Sequence, residues 1–298
     1  MRRVLHWLGI LLGVLVLLIL IALGGVYALS TYRLNKTYAV PAESLTIPTD
    51  AASVEHGKHI ATAMAGCGNC HGVTLGGHVV FDQQPLGSVV APNLTTGKGG
   101  IGATFTDADW VRAIRHGVGP NGKALLIMPS DDYHNLGATD LAALIAYLKQ
   151  LPPADSSDLP TTALGPLGRA LFVTGQLPLL PADKIDQRAP LQAPPPAGPT
   201  AQYGQYLASF ACQGCHGPSY TGGKIPGGDP NDPPAANLTP AGIGAWSETD
   251  FVHALRDGQR PDGTRIDTAM PWPVFHNMTD DELRALYLFL RTLPAKGQ

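Results

Sequence analysis

Apolar and polar positions alternate differently in different parts of the chain. From Val4 to Ser30 the sequence VLHWLGILLGVLVLLILIALGGVYALS carries no charge. A helix of roughly 20 apolar residues crosses a bilayer, whereas a cleaved signal peptide has an apolar stretch of only about 7–15 residues. The length predicts a retained transmembrane anchor over residues 1–36, although Ala28-Leu29-Ser30 has the small-residue character of a cleavage site. Trp7 and Tyr27 fall near the two ends, where interfacial aromatics sit. Further on, apolar residues recur with helical spacing. Leu141, Leu144, Ile145, Leu148 and Leu151 predict one amphipathic helix, and Leu283, Leu286, Tyr287, Leu290 and Leu293 predict another. Thr279 and Glu282 form a capping box, and Pro152 and Pro294 end the two helices. Thr106-x-x-Asp109 and Ser247-x-x-Asp250 open shorter helices that Gly117 and Gly258 stop. Alternation of β-branched residues is almost absent, so strands should be few and the fold class all-α.

The predicted helices belong to an internal repeat. GKHIATAMAGCGNCHG answers to GQYLASFACQGCHG, Leu75-Gly76-Gly77 to Thr221-Gly222-Gly223, and Asn93-Leu94-Thr95 to Asn237-Leu238-Thr239. Ile101-Gly102 answers to Ile243-Gly244, Met128-Pro129 to Met270-Pro271, and YLKQLPP to FLRTLPA. Each copy has the size of one small domain, and the period is too long for a solenoid. The predicted units cover residues 44–153 and 200–298. Residues 154–199 between them are rich in proline and read as an extended, semi-rigid linker. Its stretch LGRALFVTGQLPLLPADKID is too apolar to be free and should pack on one or both units. Gly175, Pro178 and Pro181 interrupt it well short of membrane-spanning length. Gly57 and Gly204, paired with Tyr147 and Phe289, predict a close crossing of the first and last helices in each unit.

Charge removes one class of function. The net charge is −3, and the four basic residues before Glu43 (Arg2, Arg3, Arg33 and Lys36) belong to the anchor region, leaving 16 basic against 23 acidic residues. Such a balance excludes a nucleic-acid binder. The basic residues flanking the apolar run nearly cancel, so the positive-inside rule does not orient it.

The four cysteines of the chain all lie in two C-x-x-C-H motifs, Cys67-Gly68-Asn69-Cys70-His71 and Cys212-Gln213-Gly214-Cys215-His216. This is the haem c attachment signature. Two thiols add to the two vinyl groups on one porphyrin edge, and the adjacent histidine lies beneath the ring with a nitrogen toward iron. The motifs therefore predict two covalently bound haem c groups, with His71 and His216 as iron ligands. A zinc ribbon would place its cysteine pairs 15–20 residues apart, and a thioredoxin-like pair needs a βαβ pattern that is missing. Met opposite His is one established haem pairing and raises the reduction potential. Met128 and Met270 stand at matched places, each about 60 residues after its cysteine pair and each followed by Pro. Against the alternative that they are apolar gap-fillers, the repeated Met-Pro marks them as the second iron ligands. His134 and His276, each six residues after its Met, are the competing candidates. Met278, His56, His59, His78, His116 and His253 read as ordinary residues.

Each unit resembles a class I cytochrome c domain, with C-x-x-C-H early, Met-Pro late and a closing amphipathic helix. The second unit, with NLTPAGIGAWSETDFVHALRDGQRPDGTRIDTAMPW and TDDELRALYLFLRTLP, is similar to the cytochrome c subunits of bacterial membrane-bound alcohol, aldehyde and gluconate dehydrogenases. Those subunits often carry three C-x-x-C-H motifs, and this chain has two. The resemblance implies two tandem class I domains behind the transmembrane helix, single-pass in the bacterial cytoplasmic membrane, with the haem domains in the periplasm. It further implies an electron-transfer protein or subunit, not an enzyme, working with a periplasmic dehydrogenase or other redox protein and passing electrons to quinone or a terminal oxidase. The rival readings are a di-haem peroxidase and a haem-based gas sensor. Each needs an open iron, and two matched Met-Pro ligands argue against that.

Overall fold

The computed structural model describes every residue except Met1, Ala42, Pro226, Pro230 and Gln298. Helix α1 (Arg2–Leu34) is apolar on all sides between its basic ends, exposed along its length apart from buried Ser30 and half-buried Val26, Arg33 and Leu34, and long enough to cross a membrane. A helix hydrophobic all round has no core-facing stripe to bury and belongs in lipid or a large core.

The first unit comprises α2 (Ala51–His59), a π-helical turn (Ile60–Met64), α3 (Cys67–His71), β1 (His78–Gln83), β2 (Gly87–Ala91), α4 (Asp107–His116), α5 (Ser130–Tyr133) and α6 (Ala138–Lys149). The central segment adds β3 (Ala163–Leu164), α7 (Pro166–Val173) and a 3-10 turn at Pro181–Asp183. The second unit comprises α8 (Ala201–Ala211), α9 (Gln213–His216), α10 (Pro240–Ile243), α11 (Glu248–Asp257), α12 (Trp272–Phe275) and α13 (Asp280–Thr292). All three capping boxes form, at Thr106/Asp109, Ser247/Asp250 and Thr279/Glu282. Gly117 and Gly258 both end their helices in the left-handed region at φ 64°, where a side chain would be strained.

The all-α expectation needs one correction. β1, β2 and β3 form an antiparallel sheet in that order, with His78 opposite Ala91, Gln83 opposite Gly87 and Ser88 opposite Ala163. Val79, Val80, Val89 and Val90 supply the β-branched residues that suit a pleated surface. The runs are short, and the third strand comes from the central segment, so no long alternating pattern marks the sheet.

The helix crossings form as expected, against different atoms. A Cβ on Gly57 would lie 1.9 Å from Ala143 O, and one on Gly204 would lie 1.8 Å from Ala285 O. The glycines thus admit the backbone of α6 and α13 one turn before Tyr147 and Phe289, and the rings themselves do not decide the approach.

The central segment wraps the first unit. Gly165 N–H donates to Leu86 O, Ala138 N–H to Gln192 O, and Ile127 N–H to Leu179 O. The buried Arg115 guanidinium donates to Ala189 O and pairs with Glu43, while buried His116 bonds Gln187. Phe172, Leu179 and Leu180 form a small cluster with Leu34 of α1 and with Ala124, Leu126 and Ile127. The other core cluster runs through both units without a break. At their seam, His59 Nε2 meets the Glu282 carboxylate at 2.9 Å. Tyr206 donates its hydroxyl to Asp140 (2.6 Å) and accepts from Gly137 N–H (3.0 Å). In the repeat His59 corresponds to Tyr206 and Glu282 to Asp140, so the two contacts are matched across a pseudo-two-fold axis.

Candidate functional site

α3 begins after Gly66, which turns the chain in the left-handed region at φ 60°. The short helix carries Cys67 and, one turn later, Cys70 and His71, and α9 with its preceding Cys212 does the same for Cys215 and His216. Both imidazoles are buried, at 7% and 4% exposure. His71 Nδ1 lies 2.8 Å from Pro92 O, and His216 Nδ1 lies 2.7 Å from Ala236 O. A carbonyl accepts and cannot donate, so Nδ1 carries the proton and Nε2 keeps its lone pair. Burial holds both rings below the ordinary histidine pKa, against the opposing carbonyl contact, which favours the neutral ligand form.

The conserved order of the repeat explains where those carbonyls come from. Asn93 Oδ1 accepts from Thr95 N–H, while Asn93 Nδ2 and Thr95 Oγ1 both donate to Ala154 O. Asn237 and Thr239 make the same bonds among themselves and to Lys296 O. Each Asn-Leu-Thr therefore pins the segment whose preceding carbonyl orients the histidine to the chain just beyond the closing helix. Sequence reading matched these residues as repeats without giving them this role. Leu75 and Tyr220, both five residues past the second cysteine, sit in the left-handed region at φ 55° and 57°. Non-glycine residues there store strain and cluster at functional sites. Gly77 N–H donates to His71 O and Gly222 N–H to His216 O. The repeat register is corrected by one residue here: Gly77 corresponds to Gly222, and Leu75 to Tyr220.

Cys67, Cys70, His71 and Met128 line one cavity of 380 Å³, within the size range of small-molecule and cofactor sites. Its walls are apolar almost throughout and include Leu94, Trp110, Ile114, Leu144 and Leu148, with Val80, Val89 and Val90 from the sheet. Met128 follows Ile127, a β-branched residue held at φ 52°, an outlier that only a fixed surrounding structure maintains. The indole Nε1 of Trp110 is buried without an acceptor. A large, mainly apolar group with an acceptor atom suits this cavity, and haem has that character. Burial pushes the Cys67 and Cys212 thiols up to about 12 and raises Cys70 and Cys215 as well. None of the four is in a disulfide. No group of three or more His, Cys, Asp or Glu able to hold a metal ion occurs among the described residues.

In the second unit Cys212 and Met270 are half-buried against the common core, and Met270 precedes α12 as Met128 precedes α5. Phe251 stands where Trp110 does in the first unit. In place of the β1–β2 hairpin, a single bridge pairs Gly223 with Ala235. Of the competing histidines, His134 is not among the residues lining the first cavity, whereas Met128 is; His134 Nδ1 donates to Arg115 O (3.1 Å) and His276 Nδ1 to Arg256 O (2.6 Å). They tie the turn after each Met to the end of the preceding helix.

The chain is 28% identical over 307 residues to the cytochrome c subunit of a quinone alcohol dehydrogenase from Gluconacetobacter polyoxogenes, covering 88% of this chain and 62% of that protein. It is 28% identical over 283 residues to the fructose dehydrogenase cytochrome subunit of Gluconobacter japonicus, covering 87% of this chain and 56% of that one. It therefore spans about three fifths of the length of these dehydrogenase subunits. A diheme cytochrome c-type protein of Cereibacter sphaeroides is 28% identical over 257 residues, with 77% of this chain and 82% of that protein covered. A family profile described as cytochrome c matches residues 54–152 and 201–294, the two stretches that carry the buried imidazoles. Repeat, cavity and profile agree, and the chain belongs to the cytochrome c family.

Proposed function

We propose that the chain is a membrane-anchored di-haem c-type cytochrome that carries single electrons on the periplasmic side of the cytoplasmic membrane. Cys67 and Cys70 hold one haem and Cys212 and Cys215 the other. His71 with Met128, and His216 with Met270, ligate the two irons. The bound haem supplies the redox chemistry, with one electron stored or released per iron. The protein's own part is to keep His71 and His216 neutral and oriented through Pro92 O and Ala236 O, and to exclude water from the apolar walls. Methionine ligation sets a high potential. The carrying observation is the cavity that gathers Cys67, Cys70 and His71 of α3 with Met128 of the loop before α5, some 60 residues further along the chain. Residues 1–36 form the anchor, 44–153 and 200–298 the two haem domains, and 154–199 the linker. The amino terminus lies inside, because haem attachment takes place on the outer face. The relatives' names, cytochrome subunits of dehydrogenases, support a dehydrogenase as electron donor; in this reading the donor is periplasmic, quinone or a terminal oxidase is the acceptor, and the chain is a transfer subunit in place of an enzyme.

Optical spectra of the purified protein, oxidised and reduced, with and without carbon monoxide, test the reading. Two haems per chain, low-spin c-type bands, a far-red methionine–iron band and no response to carbon monoxide are expected. A high-spin component or carbon monoxide binding at one iron would point to a peroxidase or gas sensor. Absence of covalent haem would remove the proposal altogether.

A further inference from the structure

α1 is 33 residues long, about 50 Å at 1.5 Å per residue. A hydrocarbon layer of about 30 Å consumes roughly 20 of them. With Val4 at the inner edge the hydrocarbon layer ends near Leu23, so Tyr27 emerges about 6 Å beyond it, in the outer headgroup layer, and Ser30 to Leu34 rise just above. It is there that α7 docks. Tyr27, Ser30, Thr31 and Leu34 share one face of α1 by their i, i+3, i+4, i+7 spacing. Arg169 of α7 donates to Ser30 Oγ (2.8 Å) and Thr31 Oγ1 (3.2 Å), with its guanidinium 4.8 Å from the centre of the Tyr27 ring. Arg33 of α1 reaches back to Phe172 O (3.0 Å) and lies 4.2 Å over the Phe172 ring.

Two features of this joint are unfinished. Neither Arg33 nor Arg169 has a carboxylate within ion-pair distance among the described residues, although Lys36, three residues on, is paired with Asp183. Both guanidiniums are only half-buried. Leu167, in the first turn of α7, is 42% exposed, and outside α1 only Val73 shares that condition among the large hydrophobic residues described. A half-buried guanidinium pair, hydrogen-bonded within the joint but without a carboxylate in direct contact, beside an exposed leucine at the height where a spanning helix leaves the bilayer, matches the chemistry of phospholipid: phosphate above, acyl chain below.

We propose that α7 is seated in the outer headgroup layer of the bilayer that α1 crosses, with Leu167 among acyl chains and Arg33 and Arg169 facing lipid phosphates. The inference rests on the reading of α1 as a membrane anchor. It gives the central segment a job that a spacer does not have. Ala124, Leu126 and Ile127 wall the first cavity and pack on the same cluster as Phe172 and Leu34, so the seat holds the first unit, not the second, against the membrane surface.

The test is photo-crosslinking in the full, haem-loaded chain, reconstituted in liposomes of phosphatidylethanolamine and phosphatidylglycerol. p-Benzoylphenylalanine replaces Leu15 in α1, Leu167 in α7 or Arg284, an exposed position on α13, one at a time. Phospholipid adducts are read by mass spectrometry. Adducts at 15 and 167 and none at 284 are expected. An adduct at 15 without one at 167 overturns the seat while leaving the anchor intact. No adduct at 15 overturns the anchor and the seat together, and equal adducts at all three positions overturn the seat as non-specific labelling.

Discussion

Replacing Gly204 by alanine should destabilise the second unit, although alanine is the better helix former. The substituted Cβ would meet Ala285 O at 1.8 Å, Ala285 C at 2.4 Å and Leu286 N at 2.9 Å. A tolerable carbon–oxygen contact is about 3.3 Å, so α8 and α13 must separate by roughly 1.5 Å. The opposing atoms are backbone and cannot rotate aside. Separation loosens the packing of Leu207 and Ala208 against Leu283 and Leu286, all buried at 2% exposure or less. Overpacking of this kind costs about 3 kcal/mol at the upper end of its usual range, and the gain in helix propensity returns about 1 kcal/mol. The net loss of about 2 kcal/mol corresponds to a fall of about 4–8 °C in Tm for two units that share one core. Thermal unfolding of the full haem-loaded protein, followed by far-ultraviolet circular dichroism, measures it as a shift of the midpoint. Gly57→Ala should do the same to the first unit, where the contact is 1.9 Å. Gly13→Ala, which meets nothing within 4 Å, should leave the midpoint in place. A Gly204→Ala protein that melts with the native one would show that the helices do not cross with backbone in contact.

Three further outcomes are expected. Burial, reinforced by the neighbouring Asp131 charge and opposed by Lys184, pushes the Asp132 carboxyl up to about 7. Between about pH 4 and 7 the folded chain thus keeps a proton that the unfolded chain has released, and stability falls as pH rises through that window. Asp132→Asn should abolish the fall, making the variant's advantage over the native protein about 2–4 kcal/mol larger at pH 8 than at pH 4.5; equal differences in denaturant unfolding at the two pH values would refute this. Tyr206→Phe removes a hydroxyl that serves both Asp140 and Gly137 N–H and should cost about 1–3 kcal/mol, with a double-mutant cycle against Asp140→Asn showing positive coupling. Thr279→Ala loses the cap of α13 and should cost about 1 kcal/mol in the same unfolding assay.

What the sequence made legible was local or repeated. Capping boxes, the glycines that end α4 and α11, and the C-x-x-C-H turns each lie within a few residues, so their patterns survive in one dimension. The β-sheet was hidden because its third strand is two residues long and arrives from the central segment some 70 residues away. The role of Asn93 and Asn237 was hidden because their partners, Ala154 O and Lys296 O, are backbone atoms that any residue could supply. Leu75 and Tyr220 gave no sign of their left-handed backbone, since glycine is the usual marker; only the repeat, correctly registered, exposes the match. The prolines of the linker suggested a semi-rigid segment and its apolar stretch a packing on one or both units; its hydrogen bonds go to the first unit and, beyond that expectation, to the end of α1.

That last difference changes how the two halves are held. Had the linker set their separation, the seam would be loose and its residues free to vary independently. The seam is instead built from corresponding positions. Besides His59–Glu282 and Tyr206–Asp140, the turn after each Met faces the other unit's attachment motif: Asp132 of α5 lies against Gly214, between Cys212 and Cys215, and Val274 of α12 lies against Gly66, beside Cys67. Asp132 and Val274 correspond in the repeat. A pseudo-two-fold contact of this kind is self-complementary, as in a C2 dimer, so each half was able to keep the surface that a duplicated ancestor would have used to pair with itself. The paired positions differ in chemistry, histidine against tyrosine and aspartate against valine. The consequence is an asymmetry placed where it matters for transfer. A titratable carboxyl faces the second attachment motif and an inert side chain faces the first, so two sites built from one plan sit in different electrostatic surroundings. The common core fixes their spacing, which leaves the central segment free to hold the first unit to α1.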